Sequence, residues 1–332
     1  MSAGGTAADS GHVRPRIVAS RCLNVEAVRY NAQVIRDPFM EVLAEHADVR
    51  TVCPEVEIGL GVPRDPIRLV ASGDGTRLVQ PATGRDVTDE MDRFSAEFLA
   101  SLAGIDGFVL KNRSPSCGIG EVKVYAAAGN APPTGKGAGR FGGAVLERFP
   151  HAAVEDEGRL RDHVIRDRFL TRVWTLARFR AARDDGRFSR LVDFHSRHKY
   201  LLLTVNPEAM RRLGRLVASL PSMRPELAYE QYGFVLGEAL GREISPRAHA
   251  DALLHGLGHV SRELAPREKQ HFLGLVAEFR EGRIPLSAPR EVLRAWAMRF
   301  DQRYLALQWY FDPYPRELLM LRDSKGIANV VA

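Results

Sequence analysis

The stretch GFVLKNRSPSCG, residues 107–118, joins a short apolar run to a loop that carries Cys117. Two other stretches share this design: RIVAS (16–20) precedes Cys22, and VRTVCPE (49–55) contains Cys53. A short apolar run that gives way to Pro, Gly or Ser is typical of a buried strand that ends where a loop begins. The sequence therefore predicts three strands, each with a cysteine just beyond its end.

Two stretches with helical spacing separate these strands, DPFMEVLAEHA (37–47) and TDEMDRFSAEFLASLAG (88–104). Strands that alternate with helices form a parallel sheet, and ligands bind outside the carboxyl ends of its strands. We therefore expect an α/β N-terminal domain with a short parallel, Rossmann-like sheet. The three cysteines should meet at one edge of that sheet.

From about residue 162 the pattern changes to helical spacing interrupted by Pro, Gly or Asn. The predicted helices are 162–184, 187–203, 207–219, 225–240, 246–263, 266–281 and 289–311. This half is expected to be an all-α helical domain. The domain prediction is a disordered leader over residues 1–13, an α/β domain over 14–170 and a helical domain over 185–315.

Composition limits the class of protein. The chain has 332 residues, is 45% hydrophobic and 27% charged, and has a mean hydropathy of −0.20, as expected for a globular protein of two domains. No apolar run reaches the roughly 18 residues of a membrane span, and residues 1–16 lack the apolar core of a signal peptide. We expect a cytoplasmic protein with no membrane partner, whose three cysteines are thiols or metal ligands; the sequence leaves the oligomeric state open, with a monomer as one option.

The basic charge is concentrated in the second half. Residues 1–170 carry 21 Lys and Arg against 23 Asp and Glu, whereas residues 171–332 carry 26 against 18. An excess of this kind favours a polyanionic partner such as nucleic acid, and the alternative is a solvated, Arg-rich helical surface. Arg211, Arg212 and Arg215, on one predicted helix, are candidates to meet phosphates.

Three cysteines are one short of the set that usually holds an iron–sulfur cluster. Such a cluster takes about four thiolates when protein alone binds it, so three would leave one iron open to substrate. The alternative is a structural zinc in a non-catalytic nucleic-acid-binding protein, although zinc ligands usually come in CxxC pairs, which the chain lacks. His255 and His259 have zinc-compatible spacing, but HGLGH lacks the carboxylate of HExxH, and we interpret them as core or surface residues.

Candidate acid–base groups lie beside two of the cysteines. Glu55 and Glu57 follow Cys53, and a carboxylate beside a bound Lewis acid can activate water or protonate a leaving group. The alternative is a solvated or helix-capping glutamate. The loop before Cys117 is denser in functional groups. It contains Lys111, Arg113, Ser114 and Ser116.

The segment PPTGKGAGRFGG, residues 132–143, is rich in glycine and carries Lys136 and Arg140. Its backbone amides could cradle a phosphate, but it lacks the GK[ST] ending of a P-loop. We interpret it as a mobile loop that closes over a substrate, with a flexible surface connection as the alternative.

These motifs together resemble the thiouracil desulfidase domain family. The matching segments are SRCLNVEAVRYN (20–31), CPEVEIGLGVPRDPIRLV (53–70), TGRDVT (83–88), LKNRSPSCG (110–118), GKGAGRFGGAV (135–145) and VEDEGRL (154–160). LVDFHSRHKYLLL (191–203) and the helices to about residue 311 resemble the helical domain often fused to that family. The fused arrangement is similar to the tRNA 4-thiouridine desulfidases.

The resemblance implies a [4Fe–4S] cluster bound by three cysteines, here Cys22, Cys53 and Cys117. Members often carry another cysteine six residues after the first, where this chain has Val28. The family's acid and serine correspond to Glu55 and Ser114, with Glu57 and Ser116 as alternatives.

The implied reaction is the non-redox removal of sulfur from 4-thiouridine in tRNA, or from free thiouracil or its nucleoside. Glu55 would activate water or protonate the leaving group, and Ser114 or Lys111 would orient the base. The implied RNA contacts are Arg113, Lys136, Arg140, Arg211, Arg212 and Arg215.

Overall fold

The computed structural model describes residues 12–73 and 75–319. The chain divides into two compact units, unit 1 over Met1–Ala177 and Tyr314–Ala332, and unit 2 over Arg178–Pro313. The predicted leader, residues 1–13, lies almost entirely outside the described residues. No helix in the described ranges has both the length and the apolar character needed to cross a membrane.

Unit 1 contains two four-stranded sheets. The strands are β1 (Arg16–Ser20), β2 (Asp48–Val52), β3 (Arg68–Ser72), β4 (Gly75–Val79), β5 (Gly107–Leu110), β6 (Val122–Tyr125), β7 (Pro133–Gly137) and β8 (Ala153–Asp156). The helices that begin in unit 1 are α1 (Pro38–His46), α2 (Pro54–Glu57), α3 (Thr88–Ala100), α4 (Arg140–Arg148) and α5 (His163–Asp185). Single 3₁₀ turns lie at Arg159–Arg161 and Arg316–Leu318.

The first sheet is all parallel, in the order β2-β1-β5-β8, which confirms the predicted α/β class. Strands β1, β2 and β5 are the three expected from the apolar runs. Successive side chains of a strand point to opposite faces, so Ile17 and Ala19 pack in one apolar cluster and Val18 in the other. Burial on both faces explains why β1 and β5 appear in the sequence as continuous apolar runs rather than as an alternation of apolar and polar residues.

The second sheet was not predicted from the sequence. Its order is β4-β3-β6-β7, with β3 and β6 parallel and the two outer pairs antiparallel. Because β7 is exposed over most of its length, its residues carry no apolar signal. The interpretation of 132–143 as a mobile loop is therefore wrong, since this segment forms β7 and the start of α4.

Unit 2 is helical, as predicted. Its helices are α6 (Phe188–Arg197), α7 (Lys199–Val205), α8 (Pro207–Ala218), α9 (Pro225–Leu240), α10 (Pro246–Val260), α11 (Pro266–Arg280), α12 (Ser287–Arg299) and α13 (Arg303–Ala306). Short 3₁₀ turns cover Leu220–Ser222 and Ser261–Glu263.

Two predicted single helices of unit 2 are each two helices. The segment 187–203 breaks at His198, a buried residue whose Nδ1 lies 2.7 Å from the Phe194 carbonyl oxygen. The segment 289–311 breaks near Asp301, which has a positive φ of 47°. Apolar residues keep helical spacing across both breaks, so periodicity alone could not reveal them.

Candidate functional site

The three cysteines lie at the carboxyl edge of the parallel sheet, where the chain leaves three adjacent strands. Cys22 follows β1, Cys53 precedes the first residue of α2 directly after β2, and Cys117 lies in the loop after β5. All three are free thiols, buried at 8%, 9% and 6% relative exposure, and they line one cavity of about 290 Å³. The sequence-based expectation that they meet at one sheet edge is confirmed.

The cavity environment opposes a free thiolate. Burial is the largest cause that raises the pKa of Cys22 to about 12; the nearby Cys53 thiol adds to this, and Lys111 opposes it. Burial likewise raises the pKa of Cys53 and of Cys117. Thiolates here need a cation that replaces the lost solvation, as a bound metal centre does. Three soft sulfur donors around one cavity fit a thiolate-bound iron–sulfur group.

The thiols border a cavity rather than converge on a point. Ligands of a single zinc at ~2.3 Å stand about 4 Å from one another. Within 12–73 and 75–319, no three His, Cys, Asp or Glu side chains are arranged to hold one metal ion.

Glu55 is the carboxylate of this cavity. Helix α2 presents it in its first turn, and both oxygens are used. Arg64 donates to Oε2 from Nε at 2.8 Å and from Nη2 at 2.6 Å, and Ser116 Oγ donates to Oε1 at 2.6 Å. The Glu55 and Arg64 side chains are only 14% and 4% exposed. The alternative acid, Glu57, instead pairs with Arg21 at 2.7 Å on the surface.

Ser116 connects Glu55 to the rest of the cysteine loop. Its hydroxyl lies 2.9 Å from Ser114 Oγ and 3.9 Å from Cys117 Sγ, and the residue is fully buried. Ser114 Oγ also accepts from the Cys117 backbone N–H at 3.1 Å. Both candidate serines therefore belong to one network, but only Ser116 contacts the acid directly.

Lys111 lines the cavity but is engaged in an ion pair. Its Nζ pairs with Glu157 and donates to the Asn112 carbonyl oxygen at 2.9 Å. The Lys111 backbone N–H donates to Ser20 Oγ at 2.9 Å, which ties the start of the cysteine loop to the end of β1. Lys111 thus brings positive charge beside Cys22 while Glu157 fixes its position.

Two glycines of the 132–143 segment allow α4 to pack on the cysteine loop. A Cβ on Gly139 would lie 2.5 Å from the Ser116 carbonyl oxygen. A Cβ on Gly142 would lie 2.3 Å from the Gly118 carbonyl oxygen and 2.6 Å from that of Cys117. The glycines are therefore required by close backbone approach, which fixes the position of Cys117.

The candidate RNA-binding cations fall into three groups. Arg113 is exposed and lines the cysteine cavity. Lys136 and Arg140 pair with Glu121 and Asp92, so their charges are partly neutralised.

The third group lies on α8 in unit 2 and comprises Arg211, Arg212 and Arg215, all exposed. Arg212 lies 3.7 Å from Glu238.

Several cavity residues were missed from the sequence. They are Ser20, Arg64 and Asn112, whose Oδ1 is buried with no hydrogen-bond partner among the described residues; Glu157, the ion-pair partner of Lys111, was missed as well. An arginine or asparagine inside a Pro- and Gly-rich loop gives no sequence signal of burial. Arg64 and Glu157 do lie within segments on which the family resemblance rests, and that was the one available indication.

Comparisons with known proteins match both halves of the chain to families. The 2-thiouracil desulfurase family model matches residues 17–157, and a family described as a protein of unknown function (DUF1722) matches residues 199–315. Uncharacterized protein YbgA of Escherichia coli is 28% identical over 160 residues, 48% of this chain and 94% of that protein. Uncharacterized protein YbbK of Bacillus subtilis is 31% identical over 111 residues, 31% of this chain and 74% of that protein.

A solved structure, the [4Fe–4S]-dependent thiouracil desulfidase TudS, is 30% identical, with a TM-score of 0.36; the match covers 45% of this chain and 95% of that one. Residues 17–157 of this chain, which the 2-thiouracil desulfurase family model matches, contain all three cysteines, Glu55 and both serines. This chain belongs to the 2-thiouracil desulfurase family.

Proposed function

We propose that the protein is a [4Fe–4S]-dependent desulfidase that removes sulfur from 4-thiouridine in tRNA and releases uridine and sulfide. The observation that carries this proposal is the single cavity lined by three buried cysteines and a glutamate paired with a serine. Family membership and the activity of the solved relative, a thiouracil desulfidase, support the reaction class. The basic excess of residues 171–332 supports a nucleic-acid substrate.

Cys22, Cys53 and Cys117 would hold the cluster, each through its sulfur. When bound, the cluster supplies a Lewis-acidic iron that has no protein ligand and suits a soft sulfur atom. Lys111 adds a positive charge that favours the thiolate form of Cys22. Desolvation of the cavity strengthens each of these electrostatic interactions.

Glu55 is the proton acceptor of the proposed reaction. Arg64 occupies Oε2, which leaves Oε1 for a proton, and Ser116 is the donor that contacts Oε1. A water that attacks the ring carbon loses a proton to Glu55, the carbon–sulfur bond breaks, and sulfide leaves with protons from water and Glu55. Since a thiocarbonyl and water give a carbonyl and hydrogen sulfide, no oxidant or reductant is needed.

Ser114 and Ser116 position the substrate and the acid. The 2.9 Å contact between their hydroxyls would let a proton pass from Glu55 through Ser116 to Ser114. Ser114 or Lys111 would orient the uracil ring, and the exposed Arg113 would meet the RNA backbone beside the cavity. The remaining basic side chains, those on α8 above all, would bind phosphates of the RNA.

The test is sulfide release by anaerobically reconstituted protein from thiolated tRNA and from free 4-thiouridine. For tRNA we expect turnover that falls steeply as salt rises, because phosphate contacts release counterions. Cys117→Ala should lose both iron and activity. Sulfide release by an iron-free Cys117→Ala protein would overturn the proposal.

Free thiouracil or its nucleoside is the second candidate substrate. The activity of the solved relative TudS, a thiouracil desulfidase, favours this substrate. The match with TudS covers 45% of this chain and 95% of that one. Turnover of the free base that exceeds tRNA turnover and does not respond to salt would select this alternative.

A further inference from the structure

A cleft of about 450 Å³ opens in unit 2, and none of its residues takes part in the chemistry proposed above. Its walls come from α7, α8, α10 and α13. The volume lies within the range of small-molecule pockets, roughly 300–1,000 Å³. The cleft is mostly apolar, with Leu203 and Met210 in its lining, and three aromatic side chains complete it: Tyr200, His255 and Tyr304.

Tyr200 is the buried aromatic residue of this cleft. The residue is 2% exposed, and its hydroxyl is buried without a hydrogen-bond partner among the described residues. Buried hydroxyls in proteins are nearly always hydrogen-bonded, because an unpaired one loses its contacts with water. A partner for Tyr200 therefore has to come from outside the described chain.

His255 and Tyr304 are the exposed aromatic residues of the cleft. Their ring centroids lie 5.6 Å and 6.4 Å from that of Tyr200, and Tyr304 is 40% exposed. His259 lies one turn along α10 from His255, 5.7 Å from the Tyr304 ring. Aromatic faces that border an open cleft stack well on a planar ligand ring. Both histidines of the HGLGH motif, His255 and His259, therefore belong to the aromatic cluster at this cleft.

Basic residues lie in the lining of the cleft or next to it in sequence. Lys199 lines it, and three arginines stand next in sequence to lining residues, hence about 3.8 Å away between Cα atoms. They are Arg211 beside Met210, Arg247 beside Ala248, and Arg303 beside Tyr304. Within 12–73 and 75–319 none of the four has an ion-pair partner. Asp251 also lines the cleft and Glu208 stands next to Pro207, so four basic residues against two acidic ones lie in or next to the lining.

We propose that this cleft binds one unpaired nucleobase of an RNA chain. The base stacks on Tyr304 and His255, the Tyr200 hydroxyl donates a hydrogen bond to an oxygen or nitrogen on its edge, and Arg211 and Arg303 meet the flanking phosphates. The choice of RNA over a free nucleoside rests on these arginines and on the proposed function. Stacking plus phosphate contact is the usual mode of single-stranded RNA binding, since every base has an aromatic face.

The test is a binding titration of the full-length, cluster-loaded protein with a fluorescently labelled single-stranded oligouridine. Tyr304→Ala should weaken binding about tenfold, through the lost stacking. Tyr200→Phe should weaken it about fivefold, through one hydrogen bond. Tyr229→Phe is the matched control, because the Tyr229 hydroxyl already donates to the Arg187 carbonyl oxygen at 2.9 Å inside the protein.

Thermal unfolding of the same variants separates binding from folding. Tyr229→Phe should lower the melting temperature and leave RNA affinity unchanged, whereas Tyr200→Phe should lower RNA affinity without lowering the melting temperature. Unchanged RNA affinity in folded Tyr200→Phe and Tyr304→Ala would overturn the site. Uridine that binds as tightly as the oligonucleotide, with no salt dependence, would overturn the RNA assignment.

Sulfide release from free 4-thiouridine reports on the unit 1 cavity alone. We expect it to be unchanged in Tyr200→Phe and Tyr304→Ala. If wild-type protein released no sulfide from either thiolated tRNA or free 4-thiouridine, the desulfidase proposal would fail, and the RNA titration would still decide the cleft.

Discussion

The Ser116 hydroxyl donates a hydrogen bond to Glu55 Oε1 at 2.6 Å, although the two residues are 61 positions apart in the chain. Glu55 follows β2 and Ser116 follows β5, two strands that flank β1 in the sheet. The contact therefore joins the loops that follow two strands on either side of β1, both of which line the cysteine cavity. It links the proposed proton acceptor to the loop that carries Cys117.

Ser116→Ala should lower kcat for sulfide release by about 10²-fold, because Glu55 loses its proton donor and its orientation. Iron content should stay at the wild-type level, since no cysteine is changed. Ser95→Ala is the matched control: Ser95 is also buried, but its hydroxyl donates to the Met91 carbonyl oxygen within α3. Equal activity of the two variants would remove Ser116 from the proposed proton path.

Arg64→Met should lower the free energy of unfolding by about 3 kcal/mol, because it leaves a buried carboxylate without its cation. The prediction rests on the nearly complete burial of the Arg64–Glu55 pair. Urea denaturation at neutral pH measures it. Arg85→Met should change stability by less than about 0.5 kcal/mol, since the Arg85–Glu90 pair is 45% and 41% exposed. A similar loss in both variants would contradict the argument.

Gly142→Ala should reduce the iron bound after reconstitution and destabilise the fold. The new Cβ would meet carbonyl oxygens of the cysteine loop at 2.3 Å and 2.6 Å, and backbone cannot move aside as a flexible side chain can. Gly143→Ala is the control one residue along α4, where the nearest atom is the Ala138 Cβ at 3.6 Å. There we expect full iron content and up to about 1 kcal/mol of added helix stability. Iron analysis and thermal unfolding test both.

Acid should destabilise unit 2 through His195. Burial lowers the pKa of His195 to about 4, below its ordinary value of 6.5, so the folded state favours the neutral ring. As pH falls from 6.5 towards 4, the unfolded chain takes up the proton and the folded protein does not, so stability is lost. The full difference corresponds to about 3 kcal/mol.

Denaturation midpoints between pH 7 and 4 measure this loss. His195→Gln should flatten the dependence, whereas His271→Gln, at an exposed position, should leave it unchanged. The same slope in wild type and His195→Gln would rule out this origin. His198, fully buried, has its pKa lowered mainly by desolvation as well and accounts for part of any remaining slope.

Arg211→Gln and Arg215→Gln should each weaken tRNA binding. Each should also reduce the number of counterions released on binding by about one, which the slope of log affinity against log salt measures. Arg212→Gln should do so less, because Glu238 already partly neutralises that guanidinium. Binding titrations at several salt concentrations provide the slopes. Slopes identical to wild type in all three variants would exclude α8 from the RNA interface.

Strands β1 and β5, which precede Cys22 and Cys117, were predictable because both of their faces are buried. Ile17, Val18 and Ala19 are all apolar, and a run of this kind followed by a polar turn defines a strand without tertiary information. The exposed strand β7 has no such signal, and its glycines suggested a loop. The role of Gly139 and Gly142, which follow β7, depends on the carbonyl oxygens of residues 115–118, which are remote in sequence.

The sequence by itself determined the parallel sheet, the helical second half and the position of Cys22, Cys53 and Cys117 at one sheet edge, because apolar periodicity and the place where each strand ends are local properties of the chain. Only the tertiary structure decided that Glu55 rather than Glu57 faces the cavity, that Arg64 holds it, and that Ser116 contacts it. These choices depend on which side chains meet across β2, β1 and β5, and distances of that kind have no counterpart in sequence spacing.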